Sequence, residues 1–153
     1  MFDADGQVID VRILSPSQRI DAIMRWSALP GASRHHWGTD LDLIDRKDLP
    51  AGYRPQLTQA EFDAGGIFAP MSAWLDEHAG RFGFFRPYRG IRSGVEPEPW
   101  HFSFAPVAEF ARRKLSIAVL REAIAAAPLL GKDEVLAHLA QHHARYVATI
   151  DWP

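Results

Sequence analysis

Two short stretches of this chain alternate between polar and apolar residues, which is the pattern of a β-strand with one buried face. In the first stretch, 39–44, Asp40 and Asp42 fall on one face and leucines fall on the other. In the second, 99–104, His101 alternates with aromatic residues. If both strands share a sheet with their leucine and aromatic faces in the core, Asp42 and His101 face one cleft.

Helical periodicity is found in much of the remaining chain and dominates its C-terminal third. Ser15-Pro16 is typical of a helix start and predicts a helix over about 16–28, directly ahead of the first histidine motif. A helix is also predicted over 70–80, followed by a strand over 84–88. Three further helices are predicted over 107–114, 116–127 and 133–150.

Length and composition restrict the class of protein. The 153 residues, of which 47% are hydrophobic and 24% charged, predict one soluble domain over 1–153. A net charge of -2 with scattered arginines provides no basic surface, so nucleic acid is not an expected partner. The absence of cysteine excludes disulfides, thiolate ligands and cysteine nucleophiles. No apolar run is long enough for a membrane span and the start lacks signal-peptide features, which predicts a cytoplasmic protein.

The chemistry lies in two motifs, one from Ser33 to Asp42 and one from Glu98 to His101. They combine the ligand types of a mononuclear zinc hydrolase, which needs three protein ligands and an open position for water. His35 and Asp42 suit a loop that enters a strand and folds back on one metal, and His101 can supply the third bond. Glu98 is then placed to act as general base on a zinc-bound water.

Other residues offer rival or structural interpretations. His36 is the alternative to its neighbour His35 as the first ligand. His138 and His142 have a spacing that can hold a metal on a helix, but no third ligand accompanies them. We therefore interpret this pair as a solvated helix face. Three tryptophans are interpreted as core residues: Trp26, Trp74 and Trp100.

The two motifs resemble the paired signatures of the VanY-like D-alanyl-D-alanine carboxypeptidases, which are zinc peptidases. In this chain the signatures are Ser33-x-His35-x-x-Gly38-x-Asp40-x-Asp42 and Glu98-x-Trp100-His101. The family pattern is Ser-x-His-x-x-Gly-x-Ala-x-Asp followed by Glu-x-Trp-His. By this resemblance His35, Asp42 and His101 correspond to the zinc ligands and Glu98 to the base. It also implies an α+β fold of the hedgehog/DD-peptidase type, with a small antiparallel sheet and flanking helices.

The chain departs from the family pattern at two points. Asp40 stands where the family usually has alanine, and this second carboxylate can perturb ligand protonation or compete for a contact. Nothing before Ser15 matches the family's upstream Ser-x-x-Arg-Ser-like stretch, whose arginine steadies the oxyanion or the substrate. The chain therefore resembles the later two thirds of such an enzyme. The candidates to replace that arginine are Arg34, Arg86, Arg89 and Arg92.

The resemblance implies a carboxypeptidase that removes terminal D-alanine from peptidoglycan stem peptides. An L,D-carboxypeptidase or a dipeptidase is a variant of this hypothesis, because pocket shape decides which bond is cut. The alternative function is a zinc-binding domain that recognises cell-wall peptides with little or no catalysis, which the missing upstream arginine favours. If an N-terminal segment with an export signal precedes this sequence, the expected location is the periplasm or the cell wall. The sequence assigns no oligomeric state. The predicted substrate-binding residues are Ser33, Trp100 and Arg86.

Overall fold

The computed structural model describes residues 7–47, 49–90 and 94–153. In this part of the chain seven α-helices accompany a three-stranded antiparallel sheet, so the predicted α+β class is confirmed. The helices are α1 (Pro16–Met24), α2 (Gln59–Phe62), α3 (Ala69–His78), α4 (Ala105–Lys114), α5 (Ile117–Ala126), α6 (Lys132–Ala137) and α7 (Leu139–His142). The strands are β1 (Asp40–Asp42), β2 (Phe84–Phe85) and β3 (His101–Phe104), in the spatial order β1-β3-β2. None of these helices has the length and apolar character that crossing a membrane requires.

The central strand β3 brings the two motifs together. Antiparallel pairing with β1 places Asp42 opposite His101 and Asp40 opposite Ser103. Alternate residues of a strand lie on one face of the sheet. The four polar side chains therefore share a face, and the prediction that Asp42 and His101 lie on the same face of the sheet is confirmed.

The burial of this sheet differs from the prediction. Leu41 is 46% exposed, whereas Asp40 and Ser103 on the polar face are buried. The reason is the short 3-10 helix Arg34–Trp37, which covers the polar face and supplies a guanidinium that hydrogen-bonds both Asp40 and Ser103. Leu41 instead lines an open apolar groove on the other side of the sheet.

Helix α1 begins as predicted and ends earlier. Ser15 Oγ accepts from the Gln18 N–H at 3.2 Å, and the Ser15 N–H donates to Gln18 Oε1 at 3.0 Å, which completes a capping box. The helix ends at Met24 rather than near residue 28. Arg25 then pairs with Glu96 at 2.7 Å, and its carbonyl accepts the Glu96 N–H at 3.0 Å. These bonds tie the end of α1 to the segment that leads into the second motif.

The predicted C-terminal helix is interrupted. Residues 133–150 fall into α6, α7 and the π-helical segment His143–Ala148. The helix breaks at His138, because its φ of -111° and ψ of 17° lie outside the α-helical range. His142 is only 3% exposed, with its Nδ1 3.9 Å from Asp21 Oδ1. The interpretation of His138 and His142 as a solvated face is therefore wrong for His142.

Two of the tryptophans expected in the core lie at the surface. Trp26 is 43% exposed and Trp74 is 53% exposed, so the core interpretation is wrong for both. Trp26 follows the end of α1 and lines a cleft, and Trp74 lines the apolar groove beside the sheet. Trp100 is partly buried, with its ring centroid 5.6 Å from that of Phe62.

Gly66 lies in the tight turn between α2 and α3. A Cβ there would lie 2.5 Å from the main-chain carbonyl of Glu61, which cannot move without disturbing α2. We expect Gly66→Ala to lower the free energy of unfolding by about 1–3 kcal/mol through overpacking. Gly80→Ala is the matched control, because nothing lies within 4 Å of its Cβ position. Urea denaturation measures both, and equal midpoints for the two variants would contradict this account.

Candidate metal centre

The first motif folds into the 3-10 helix Arg34–Trp37, which runs directly into β1. Gly38 ends this helix with a φ of 70°, in the left-handed region that favours glycine, and its N–H donates to the His35 carbonyl at 3.1 Å. Successive side chains of a 3-10 helix diverge by about 120°, since it has three residues per turn. The structure accordingly brings His35, and not its neighbour His36, to the polar face of the sheet.

Three side chains from the two motifs form a cluster that can hold a metal ion. His35, Asp42 and His101 each offer a ligand atom, and these atoms lie within 4.8 Å of one another. Asp42 Oδ1 is 3.5 Å from His35 Nε2 and 3.7 Å from His101 Nδ1. Ligand atoms around tetrahedral zinc are about 3.4 Å apart, given zinc–ligand bonds of about 2.0–2.2 Å. Two imidazoles and one carboxylate also match a catalytic zinc site, so the residues present fit zinc.

Glu98 lies beside this cluster. Its Oε2 is 2.9 Å from His101 Nδ1, and its side chain is largely buried at the edge of the cleft. The main chain holds it there, because the Glu98 N–H donates to the Tyr88 carbonyl at 3.0 Å and the His101 N–H donates to the Glu98 carbonyl at 3.1 Å. The Tyr88 ring also stands edge-on to the His101 ring. A carboxylate is therefore within reach of a water molecule at the cluster.

A second carboxylate, that of Asp40, contacts His101 on the buried side of the ring. His101 Nε2 and Arg34 Nε each lie 2.9 Å from Asp40 Oδ1. Thr39 Oγ1 and Ser103 Oγ donate to Oδ2 at 2.6 and 3.0 Å. The sequence allowed Asp40 to compete for the metal position. The structure shows that it does not, because Asp40 contacts Nε2 of His101, which points away from the cluster.

These contacts shift two pKa values in opposite directions. Burial alone would raise the pKa of Asp40, but hydrogen bonds from His101 and Thr39 and the charge of Arg34 lower it to about 2. Burial alone would lower the pKa of His101, but its hydrogen bonds to Asp40 and Glu98 raise it to about 9. Both shifts reflect the same geometry, in which the His101 ring lies between the carboxylates of Asp40 and Glu98.

The cluster opens onto a cleft of about 190 Å³. Ser33 and Arg34 line it next to the cluster, and Trp26, Val95 and Val147 line it with apolar surface. Val147 belongs to the π-helical segment near the C-terminus, far from both motifs in sequence. The sequence did not identify Val147 as a cleft residue, because no local pattern links the C-terminal segment to the histidine motifs.

Arg86 lies apart from the cleft. Its Nε donates to the Pro99 carbonyl at 2.8 Å, its Nη2 donates to Ser72 Oγ at 3.0 Å, and its Nη1 pairs with Asp76. The guanidinium also stacks on the Phe102 ring at 4.6 Å. All three nitrogens are engaged within the protein, so the structure ties Arg86 to the segment before β3 and does not bring it to the cluster.

The other residues that the sequence offered as substrate contacts lie in different parts of the structure. Arg34 lines the cleft, and its Nη1 is buried without a hydrogen-bond partner in the described part of the chain. Arg89 lines a separate cavity, and Arg92 lies outside the described residues. Trp100 packs against Phe62 rather than lining the cleft. Ser33 is thus the predicted substrate contact that the structure brings to the cleft.

Comparisons with known proteins match the chain to one family of carboxypeptidases. The family model described as VanY, D-alanyl-D-alanine carboxypeptidase, matches residues 2–107. The chain is also similar to an uncharacterized protein of Haemophilus influenzae, with 38% identity over 121 residues. That match covers 78% of this chain and 92% of the Haemophilus protein.

Two named relatives come from enterococci. The chain is 31% identical over 88 residues to a D-alanyl-D-alanine carboxypeptidase of Enterococcus faecalis and 30% identical over 82 residues to one of Enterococcus faecium. These matches cover 54% and 48% of this chain but only 26% and 27% of the enterococcal proteins. No solved structure matches at a significant level. The match to the family model over more than half of the chain confirms the resemblance in the motifs, and the chain belongs to the VanY family of D-alanyl-D-alanine carboxypeptidases.

Proposed function

We propose that this chain is a zinc-dependent carboxypeptidase that releases the terminal D-alanine of peptidoglycan stem peptides, with Glu98 as general base. One observation carries the proposal: three ligand atoms lie within 4.8 Å of one another, and the Glu98 carboxylate is 2.9 Å from one of them. The names of the enterococcal relatives support the substrate class.

His35 Nε2, Asp42 Oδ1 and His101 Nδ1 are the atoms that would hold the zinc ion. When bound, zinc supplies a Lewis acid that polarises the scissile carbonyl and lowers the pKa of water. The three side chains come from a 3-10 helix and two paired strands, so the backbone hydrogen bonds of these elements hold the ligands in place.

Glu98 is the residue that we assign to move the proton. Its Oε2 lies 2.9 Å from His101 Nδ1, which is one of the three ligand atoms. A water molecule held at the cluster would lie within reach of this carboxylate, which would accept a proton from it. Glu98 then returns this proton to the leaving amine of D-alanine.

The cleft suits a small apolar substrate with a terminal carboxylate. Trp26, Val95 and Val147 provide apolar surface for the methyl groups of the two alanine residues. Arg34 is the cation that lines the same cleft, and its buried Nη1 has no hydrogen-bond partner among the described residues. Of the candidate arginines it is therefore our choice to donate a hydrogen bond to the carboxylate, since its charge is already paired with Asp40.

The direct test is D-alanine release from a synthetic stem pentapeptide that ends in D-alanyl-D-alanine. We expect the zinc-loaded chain to produce the tetrapeptide and free D-alanine, detected by mass spectrometry, and the chelator-treated chain to produce neither. A pentapeptide that ends in L-alanine is the matched substrate control. Zinc bound at one ion per chain without any release would contradict catalysis and favour the peptide-binding alternative.

Trp26 is expected to contribute to substrate binding. Trp26→Ala removes exposed apolar surface from the cleft, and we expect kcat/KM for the pentapeptide to fall on the order of tenfold, since burying a large apolar side chain contributes about 1.5–3 kcal/mol. Trp74→Ala is the matched control, because Trp74 is similarly exposed but lines the groove beside the sheet. Steady-state kinetics measure kcat/KM for both variants. Equal kcat/KM values would show that Trp26 does not contact the substrate.

A further inference from the structure

We propose that Asp40 is a positioning residue that makes Nδ1 of His101, rather than Nε2, the metal-binding nitrogen. This inference rests on the proposed function, because it concerns the zinc site of that function. The observation that carries it is the contact between His101 Nε2 and Asp40 Oδ1, which is 2.9 Å long and shielded from solvent on both sides.

Strand pairing explains how Asp40 reaches the imidazole. Asp42 lies directly opposite His101, whereas Asp40 lies opposite Ser103, one pair further along the same face. Diagonal neighbours on one face of an antiparallel pair are within reach of long side chains. The two aspartates therefore approach the two nitrogens of one ring, with Asp42 Oδ1 3.7 Å from Nδ1.

The hydrogen-bond donors around Asp40 fix the orientation of its carboxylate. Arg34 Nε donates to Oδ1 at 2.9 Å, and Thr39 Oγ1 and Ser103 Oγ donate to Oδ2 at 2.6 and 3.0 Å. Both oxygens of Asp40 act as acceptors toward these donors, so in its contact with Oδ1 it is Nε2 of His101 that carries the hydrogen.

A neutral imidazole with its hydrogen on Nε2 presents a lone pair at Nδ1. Partners of this kind set the tautomer and the ring orientation of metal-bound histidines. The positive charge of Arg34 also offsets the negative charge of Asp40, because the two side chains pair in the buried interior. Asp40 can therefore orient His101 without adding net charge beneath the cluster.

A purely structural role for Asp40 makes a different prediction. If the carboxylate only neutralised the buried guanidinium of Arg34, its removal would lower stability and leave the coordination of His101 unchanged. The test must therefore read out the coordinating atom and the metal affinity, and not only turnover.

The first measurement uses the wild-type chain, labelled with nitrogen isotope in histidine and loaded with a spin-active cadmium isotope in place of zinc. We expect NMR to show cadmium coupled to Nδ1 of His101 and a hydrogen on Nε2. Coupling to Nε2 would overturn the assignment of Asp40. A wild-type chain that binds no cadmium and no zinc would overturn this inference and the proposed function together.

The second measurement compares the zinc affinity of two variants by chelator competition. We expect Asp40→Asn to bind zinc on the order of 10–100-fold more weakly, the usual cost of losing such a partner. Glu61→Gln is the matched control, since Glu61 is also a buried carboxylate and accepts from Tyr53 Oη at 2.6 Å outside the cleft. Unchanged zinc affinity in a folded Asp40→Asn would overturn this inference alone and leave the carboxypeptidase proposal standing.

Discussion

Replacing Glu98 with glutamine is expected to abolish D-alanine release and to leave one zinc ion bound per chain. Glutamine keeps the size of the side chain but cannot accept a proton from water, and loss of a general base typically costs about 10²–10⁴-fold in rate. The ligand atoms of His35, Asp42 and His101 are untouched, so zinc stoichiometry should stay at one. Mass spectrometry of the product and metal analysis of the same sample measure both quantities.

The control for this prediction is Glu61→Gln, which makes the same chemical change at a buried carboxylate in α2. We expect it to retain turnover, because Glu61 does not line the cleft. If Glu98→Gln turned over as fast as this control, Glu98 would not be the base. If Glu98→Gln also lost its zinc, Glu98 would have to be treated as a ligand.

Replacing His35 with alanine is expected to remove both zinc and activity, whereas replacing His36 should change neither. His35 supplies one of three ligand atoms, and its loss leaves two side chains to hold the ion. His36 is the next residue of the same 3-10 helix and is also exposed, but it lies outside the cluster. Metal analysis after dialysis against a weak chelator measures the difference.

The two histidine variants form a matched pair, because both replace an exposed imidazole in the same short helix. A stability loss common to both would be visible in their unfolding midpoints and can be separated from the loss of metal. Zinc retained by the His35 variant and lost by the His36 variant would reverse the ligand assignment.

Short-range patterns in the sequence predicted the parts of the site that depend on neighbouring residues. The alternation in 39–44 and 99–104 predicted that Asp42 and His101 share a face, and strand pairing confirms it. The helix start at Ser15 was also predictable, because a capping box involves residues three positions apart. These features need no knowledge of the rest of the chain.

Burial was less predictable, because it depends on what distant segments cover. Leu41 and Trp26 are apolar and were expected inside, yet no segment of the described chain covers them fully. His142 was expected outside, and the packing of the C-terminal helices buries it. The polarity of a residue therefore does not predict its burial until the segments that pack against it are known.

The sequence by itself determined the residue types of the site, their order, the shared strand face and the family resemblance. The tertiary structure alone decided three things: that His35 rather than His36 joins the cluster, that Asp40 contacts Nε2 of His101, and that Val147 reaches the cleft. The physical reason is that each depends on strand pairing or on packing between segments far apart in the chain. Motif spacing contains no information about those distances.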